Sequence, residues 1–515
     1  MDYENINLEN VPIEKLKLAS GVDRSHDEKF STKSVGYFKD AWRRFRKNKA
    51  SLTALVIIIL LFIYALLGPL FVNKTYQAAY QTDTKLQNFQ YLKPRIGLFY
   101  GTGFWDGTTK KDISEAVYLQ YKAKSIEIGH DVITKVFSEY QTGDDIFGKT
   151  NMYKVRIDSY FSKDIFTLTL VESDYLELQK WQNEHNIQVI LPYSENTLQN
   201  FNIWYKTKKN GAPVLDANGD FIPAYLTSGD DLYDSIRLEH DPFNNGETTT
   251  RWRYAKRTGK NGIYNYVVRV CPYNYFIYKY GSAPSFIFGT DTQGYDIFSR
   301  LASGARFSLM LAIIVSAINL TIGAIYGAIE GYYGGATDMI MERVSDILSG
   351  IPFMVVTVLF QLHLSGKVGV VPSLLYAFVL TGWIGMASRV RMQFYRFKNQ
   401  EYILAARTLG AKDWRIMFKH IFPNSLGTII TGSVLVIPGV IFSETSLTYL
   451  GIINLDSPTM SSVGSMLSNG QGQMTSQPHM ILFPALFIAL LMISFNLFGN
   501  GLRDAFNPSL RGTEE

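Results

Sequence analysis

The stretch Ile403 to Asn424, ILAARTLGAKDWRIMFKHIFPN, is charged and alanine-paired, turns at a glycine, reaches a proline near its end, and stands between two hydrophobic runs. Its meaning depends on those flanks. The chain of 515 residues is 47 % hydrophobic with a mean hydropathy of zero, an average over two unlike populations. Leu52 to Val72 carries no charge for 21 residues, and at ~1.5 Å per residue that covers a ~30 Å hydrocarbon core. Leu309 to Ile329 and Met480 to Phe498 pass the same test. The runs Ile351 to Leu364, Leu374 to Ala387 and Leu426 to Phe442 are shorter or hold Gly and Pro, which neighbouring helices of a bundle can accommodate. Six membrane-spanning helices are expected.

Basic residues in short loops are retained on the cytoplasmic side. Arg43, Arg44, Arg46, Lys47 and Lys49 precede the first span, which places the N-terminus inside. Six spans then put the segment after the fourth one inside too, and it carries Arg389, Arg391, Arg396, Lys398, Arg407, Lys412, Arg415 and Lys419. The outer loop from Glu444 to His479 has no Lys or Arg. The connection after the second span fits least well, because Arg343 is outnumbered by Glu330, Asp338, Glu342 and Asp346. Both termini are expected in the cytoplasm. No cleavable signal is expected, since the first apolar run is too long for one. Residues 1–50 form a cytoplasmic N-terminus, in which Tyr37, Phe38, Ala41, Trp42 and Phe45 share a helical face that suits either the membrane interface or ordinary packing.

Residues 51–72 are the first span, and 73–288 hold no spanning run and form an inserted domain outside the membrane, large enough to fold as a unit. NGIYNYVVRVCPYNYFIYKYG is rich in aromatic and β-branched residues and predicts strands, while DYLELQKWQNEH predicts a helix, so the domain is α+β. Cys271, the single cysteine, reads as a small buried apolar residue. GDDIFGKT, Gly143 to Thr150, satisfies the phosphate-loop pattern letter by letter. That motif needs a buried strand before it and a helix after it; here the preceding segment is polar, the following NMYKVRIDSY reads as a strand, and Asp144 and Asp145 would repel phosphates. A turn is the better reading. DANGD, Asp216 to Asp220, lacks the later ligands of a calcium loop, and Asn218-Gly219 signals a hairpin turn. The Arg/Tyr-rich RWRYAKRTGKNGIYNY suggests a solvated strand face, not a nucleic-acid site, because nothing repeats and the net charge is only +5.

Between its two runs, Glu401 to Leu409 can form a helix, Gly410 can end it in a left-handed conformation, and Ala411 to Ile421 can form a second helix that Pro423 stops as the next span starts. Ala405, Ala406 and Gly410 offer a surface with little side-chain bulk, onto which another protein's backbone could approach or the bundle itself could pack. Spacing alone does not choose between the two.

AARTLGAKDWRIMFKHIFPN resembles the E-A-A-x-x-x-G…L-P loop of ABC importer permeases, in the version of the oligopeptide and dipeptide family. FGTDTQGYDIFSRLASGARFSL, GYYGGATDMIMERVSDILSGIP, NLFGNGLRDAFNPSLR and the N-terminal WRRFRKNKASLTAL are similar to further segments of that family. Leu404, Phe422 and Tyr295 stand where the family pattern has Glu, Leu and Arg. The resemblance implies a permease core over 289–515 with a cytoplasmic coupling loop at 401–423, a second permease subunit as heterodimer partner, two cytoplasmic ATPase subunits and an external substrate-binding protein. It implies that Ala405, Ala406, Gly410, Ala411, Lys412, Arg415 and Pro423 contact the ATPase. It further implies that this chain catalyses nothing and binds no cofactor, ATP and Mg being used by the partners, and that peptide is the cargo. Nickel, glutathione or antimicrobial peptides are alternatives, and a surface sensor or adhesion module is a more distant one. Asn319, Gln361, His363, Thr381, Ser433 and Ser443 are candidates for a translocation pathway, although each could instead bond helix to helix.

Overall fold

The computed structural model describes residues 37–71, 89–143, 149–194, 200–209, 211–226, 252–260, 263–457 and 460–506. It begins with two consecutive helices, α1 (Tyr37–Lys47) and α2 (Lys49–Phe71). A sheet region follows, made of β1 (Thr108–Ser114), α3 (Glu115–Ile128), β2 (Ile133–Thr142), β3 (Thr150–Asp158), β4 (Phe166–Val171), α4 (Glu172–His185), β5 (Ile190–Leu191), β6 (Ala255–Lys260), β7 (Ile263–Val270) and α5 (Pro272–Tyr280). The rest is helical: α6 (Ile297–Tyr333), α7 (Gly335–Ser349), α8 (Phe353–Val368), α9 (Val370–Gly382), α10 (Ile384–Phe397), α11 (Glu401–Thr408), α12 (Asp413–Arg415), a π-helical turn (Ile416–Ile421), α13 (Phe422–Val434), α14 (Val436–Tyr449), α15 (Val463–Gln471) and α16 (His479–Phe506). Among the described residues five helices are long and apolar enough to cross a membrane, or six if α7 and α8, which meet at 72°, make one broken span.

α6 is the axis of the bundle, and its 37 residues reach about 55 Å. Its C-terminal half packs on α10 through glycine. A side chain at Gly323 would come within 2.7 Å of the Trp383 carbonyl, one at Gly331 within 2.7 Å of the Arg391 carbonyl, and one at Gly327 closer still to Ala387. Small residues at this spacing let two backbones touch, which is how helices gain contact where apolar burial gives no drive. α1 divides its apolar face. Ala41 and Phe45 are buried against Phe498, Leu502 and Ala505 of α16, while Phe38 and Trp42 stay exposed.

The sheet region has two cores. One sheet has the order β1-β3-β2, all antiparallel, and the other is β4-β7-β5 with β6 also on β7. The expected strands over residues 261–281 are half right: β7 is one, but Pro272 opens a helix that Gly281 ends at φ +68°. Proline costs nothing at a first helical turn. The aromatic run is thereby wound into α5, which sends Tyr273 and Phe276 into one core and Tyr275 into the other. α4 forms where DYLELQKWQNEH predicted it. Cys271 is buried. Gly219 at φ +85° makes the expected turn, with Leu215 bridged to Phe221. The phosphate-loop match joins two antiparallel neighbours, β2 and β3, so no helix follows it; its residues 144–148 lie outside the described set.

The sheet region is joined to the bundle at the N-terminal ends of α6 and α16. Leu92 and Thr290 exchange backbone and hydroxyl hydrogen bonds, Lys93 Nζ donates to the Ser476 carbonyl at 3.1 Å, and the Trp105 indole donates to the Ile287 carbonyl. Phe483 of α16 stacks on Phe288 at 4.0 Å and takes Trp105 at 5.6 Å.

Candidate functional site

The Ile403–Asn424 segment sits at the far end of α6 from the sheets. α11 starts after Gln400 and ends in the turn that glycine permits. The Gly410 amide donates to the Arg407 carbonyl at 3.0 Å and the Ala411 amide to the Ala406 carbonyl at 3.1 Å, with Gly410 at φ +78°. These are the paired bonds of a Schellman cap. The chain resumes at Lys412 and enters α12.

What holds the segment is its large apolar side. Ile403, Ile416, Met417 and Ile421 are buried against Ala324, Ala328 and Tyr332 of α6 and against Val390 and Phe394 of α10. The small residues divide: Ala405 and Gly410 are exposed, Ala406 is half-buried, and Ala411 is half-buried against the same cluster, while a side chain at Gly410 would meet nothing within 4 Å. Lys412, Arg415 and Pro423 are exposed beside them. Three large apolar side chains share this exposure, Leu404 and, with no signal in the sequence, Leu409 at 87 % and Trp414 at 66 %. Trp414 rests on Phe418 at 4.0 Å.

Pro423 does not stop the helix, contrary to expectation. The path from Asp413 to Val434 is helical throughout. The reason lies in the π-helical turn just before the proline. A proline ring clashes with the carbonyl four residues back and supplies no amide, and a wider turn shifts the pairing so that neither defect breaks the path.

Two polar clusters tie this end together. The Tyr332 hydroxyl donates to Asp413 Oδ1 at 2.6 Å and accepts from Arg407 Nη2 at 3.4 Å, so the tip of α6 is bonded to both sides of the Gly410 turn. Arg391 of α10 bonds Asp338 and Glu342 of α7 through its Nε and both Nη atoms at 2.6–2.9 Å, and lies 3.6 Å from Glu330. Tyr395 adds a 2.6 Å bond to Asp338 and Lys398 bonds the Gly331 carbonyl. Three of the four acids that outnumbered Arg343, namely Glu330, Asp338 and Glu342, thus face a cation far along the chain, which loop-by-loop counting does not see, while Asp346 pairs with Arg343 itself at 3.2 Å.

The pathway candidates are spread over α6, α8, α9, α13 and α14. Asn319 is buried between α6 and α9, its Nδ2 donating to the Phe378 carbonyl at 3.4 Å. Gln361 joins α8 to the Val370 carbonyl at 3.1 Å, and Ser433 bonds Ile430 within its own helix. Thr381 and Ser443 are half-buried and His363 is exposed. The first three serve helix contacts or their own backbone. Glu444, read as the start of an outer loop, lies inside α14, buried, accepting from Ser308 at 2.8 Å and Thr448 at 3.0 Å. The helix outlasts its apolar run because those hydroxyls satisfy the carboxylate.

Residues 319–512 match the family described as binding-protein-dependent transport system inner membrane component. Residues 36–94 match the N-terminal transmembrane domain of oligopeptide transport permease C. The oligopeptide transport system permease protein OppC of Bacillus subtilis is 44 % identical over 224 residues, 44 % of this chain and 72 % of its own length. The dipeptide permease DppC of the same organism is 41 % identical over 225 residues, 44 % of this chain and 69 % of its own. The glutathione permease GsiD of Pectobacterium atrosepticum is 35 % identical over 242 residues, 46 % of this chain and 78 % of its own. The family matches lie on either side of the sheet region and include the whole Ile403–Asn424 segment. This chain therefore belongs to the inner-membrane permease components of binding-protein-dependent transport systems.

Proposed function

We propose that the chain is one of two permease subunits of an ABC importer that carries oligopeptides or dipeptides into the cell. Its partners are a second permease, two cytoplasmic ATPase subunits and an external binding protein. The chain itself does no covalent chemistry; ATP hydrolysis belongs to the partners. Six spans leave both termini in the cytoplasm, with α7 and α8 as one broken span, and place the sheet region outside as an inserted domain.

The observation that carries this reading is the Gly410 turn. Ala405 and Gly410 face outward, Ile403, Ile416, Met417 and Ile421 anchor it to α6 and α10, and basic Arg407, Lys412, Arg415 and Lys419 rim it. A rigid, shallow surface of that kind lets a partner's backbone approach closely, and Trp414 adds an aromatic anchor of the sort that dominates binding energy, with exposed Leu409 beside it. Closure of the ATPases on ATP would push this surface, and Tyr332 would pass the push to α6. Ala405, Ala406, Gly410, Ala411, Lys412, Arg415 and Pro423 are the proposed contact residues. Asn319, Gln361, His363, Thr381, Ser433 and Ser443 remain the proposed polar groups along the bundle. Glutathione is the second reading for the cargo, favoured by the similarity to a glutathione permease.

Co-expression with the neighbouring transport genes and purification through a tag on this chain tests the proposal. ATPase subunits should co-purify, and vesicles holding the complex should accumulate labelled peptide only with ATP and the binding protein. A chain that purifies without ATPase subunits, or vesicles that take up no peptide, would refute it.

A further inference from the structure

Between the root of the inserted domain and its first strand runs the loop GLFYGTGFW, residues 97–105. Leu98 is 86 % exposed, Phe104 62 % and Tyr100 53 %. The loop is not slack. Asp106 accepts from the Gly103 amide at 2.7 Å and from the Thr108 amide and hydroxyl, and Thr102 bonds the Phe99 and Phe104 carbonyls. Gly101 and Gly103 take φ near +80°, the conformation glycine adopts without strain. A built loop therefore holds three apolar side chains outward.

Its foot marks its height. Trp105 packs on Phe483, four residues past the start of the spanning helix α16, which is about 6 Å along the axis. On the same helix Leu482 and Leu486 are more than half exposed. The loop thus stands level with the first turns of an apolar helix surface, and the ends of such surfaces are where Trp and Tyr gather in a bilayer.

Beside it lies a row of cations. The register of the first sheet sets Lys110, Arg156 and Lys135 side by side across β1, β3 and β2, and all three stand 5.0–5.5 Å from the Phe137 ring. Like charges directly opposite in a sheet repel, and among the described residues none of the three is in an ion pair. The nearest acids along these strands are two positions or more away, and Glu139 is engaged by the Tyr153 hydroxyl. The row and the loop touch, since a side chain at Gly103 would strike the Arg156 guanidinium.

We propose that this surface rests on the outer face of the membrane, Leu98, Tyr100 and Phe104 entering the headgroup–acyl boundary and Lys110, Lys135 and Arg156 meeting anionic phospholipid headgroups. Apolar insertion backed by basic residues is the general chemistry of interfacial binding. The contact would fix the inserted domain beside the pore mouth. It rests on the reading that this domain lies outside the cell.

The test uses the full-length chain in its complex. Phe104→Cys and, separately, Leu98→Cys are labelled with a polarity-sensitive fluorophore, the buried Cys271 leaving little background. The complex is placed in phosphatidylcholine vesicles with or without phosphatidylglycerol and with a lipid-borne quencher near the headgroup. Quenching several-fold above that of Leu176→Cys, an exposed position on α4, is expected at both sites. It should fall in the Lys110→Glu/Lys135→Glu variant with anionic lipid and hardly change without it. Quenching equal to the control at both sites overturns the proposal, as does a fluorescence change that appears only when the binding protein is added, which would make this a protein-docking surface. Labelling of Leu176→Cys in intact cells by a membrane-impermeant maleimide separates the two failures: no labelling sinks the topology, whereas labelling without quenching sinks the lipid contact alone.

Discussion

Replacing Gly410 isolates the geometry of the turn from its bulk. The residue sits at φ +78° with open space where a side chain would project, so Gly410→Val meets no clash within this chain and its cost is torsional. An L-residue held in that region loses roughly 1–2 kcal/mol, with a β-branched one at the upper end. The competing arrangement lets α11 run on and gives up the two capping bonds from Gly410 and Ala411. At about 1.4 kcal/mol per factor of ten, docking of an ATPase that requires the turn should weaken by about 5- to 30-fold. Gly410→Asn adds comparable bulk but visits the left-handed region readily, so it should keep most of the activity. The assay is peptide accumulated per ATP hydrolysed by the assembled complex in vesicles, with subunit stoichiometry checked on the same sample. Wild-type uptake by an assembled Gly410→Val complex would refute the coupling role of the turn. Equal loss in Gly410→Asn and Gly410→Val would show that contact area, not backbone conformation, is what matters.

Tyr332→Phe should leave assembly intact and lower uptake per ATP several-fold, because it removes a 2.6 Å bond to Asp413 of a charged type worth about 1.5 kcal/mol when partly exposed; an unchanged transport-to-hydrolysis ratio would exclude the α6 link. A third expectation concerns pH. Burial pushes the Asp158 carboxyl up to about 6, against the opposing pull of Arg95. A carboxyl raised in the folded state contributes stability that is fully present below its unfolded value near 3.9 and is lost as pH rises through about 6. The inserted domain should therefore be more stable at pH 5 than at pH 7.5, by about 1.4 kcal/mol from this residue, because only the single unit between pH 5 and its folded value near 6 is crossed, at ~1.4 kcal/mol per unit. Asp158→Asn should flatten that slope in hydrogen exchange of β1 and β3 in the intact protein, and an unaltered slope would assign it elsewhere.

The spans α2, α6 and α16 were legible because each holds a long uncharged run, and the Gly410 turn because a glycine after a helical stretch has one common use. What escaped the sequence depended on partners distant along the chain. Arg391 reads as one more basic residue of a loop until α7 folds against α10 and presents Asp338 and Glu342 to it. Tyr332 is an aromatic among glycines until Asp413 arrives 81 positions later. Glu444 looked like the end of a helix because a charge ends an apolar run, and only Ser308 and Thr448 explain why it does not. Pro423 was assigned as a stop from its own chemistry, which the wide turn before it accommodates. In the inserted domain, period-2 patterning found β7 but could not show that Pro272 switches the chain to a helix. The exposure of Leu409 and Trp414 was equally hidden, since an apolar residue in a helical pattern reads as core until its face is known.

The glycine contact between α6 and α10 has a practical consequence. With three glycines of one helix pressed on the backbone of the other, sliding by even one residue would bring carbonyls into collision, so the pair can turn only as a single piece. For distance measurements across a transport cycle, α6 and α10 are thus a fixed coordinate frame. Spin labels on the exposed sides of these two helices should keep a constant separation, and displacements of α8, α14 or the inserted domain can be reported against them without ambiguity about which partner has moved.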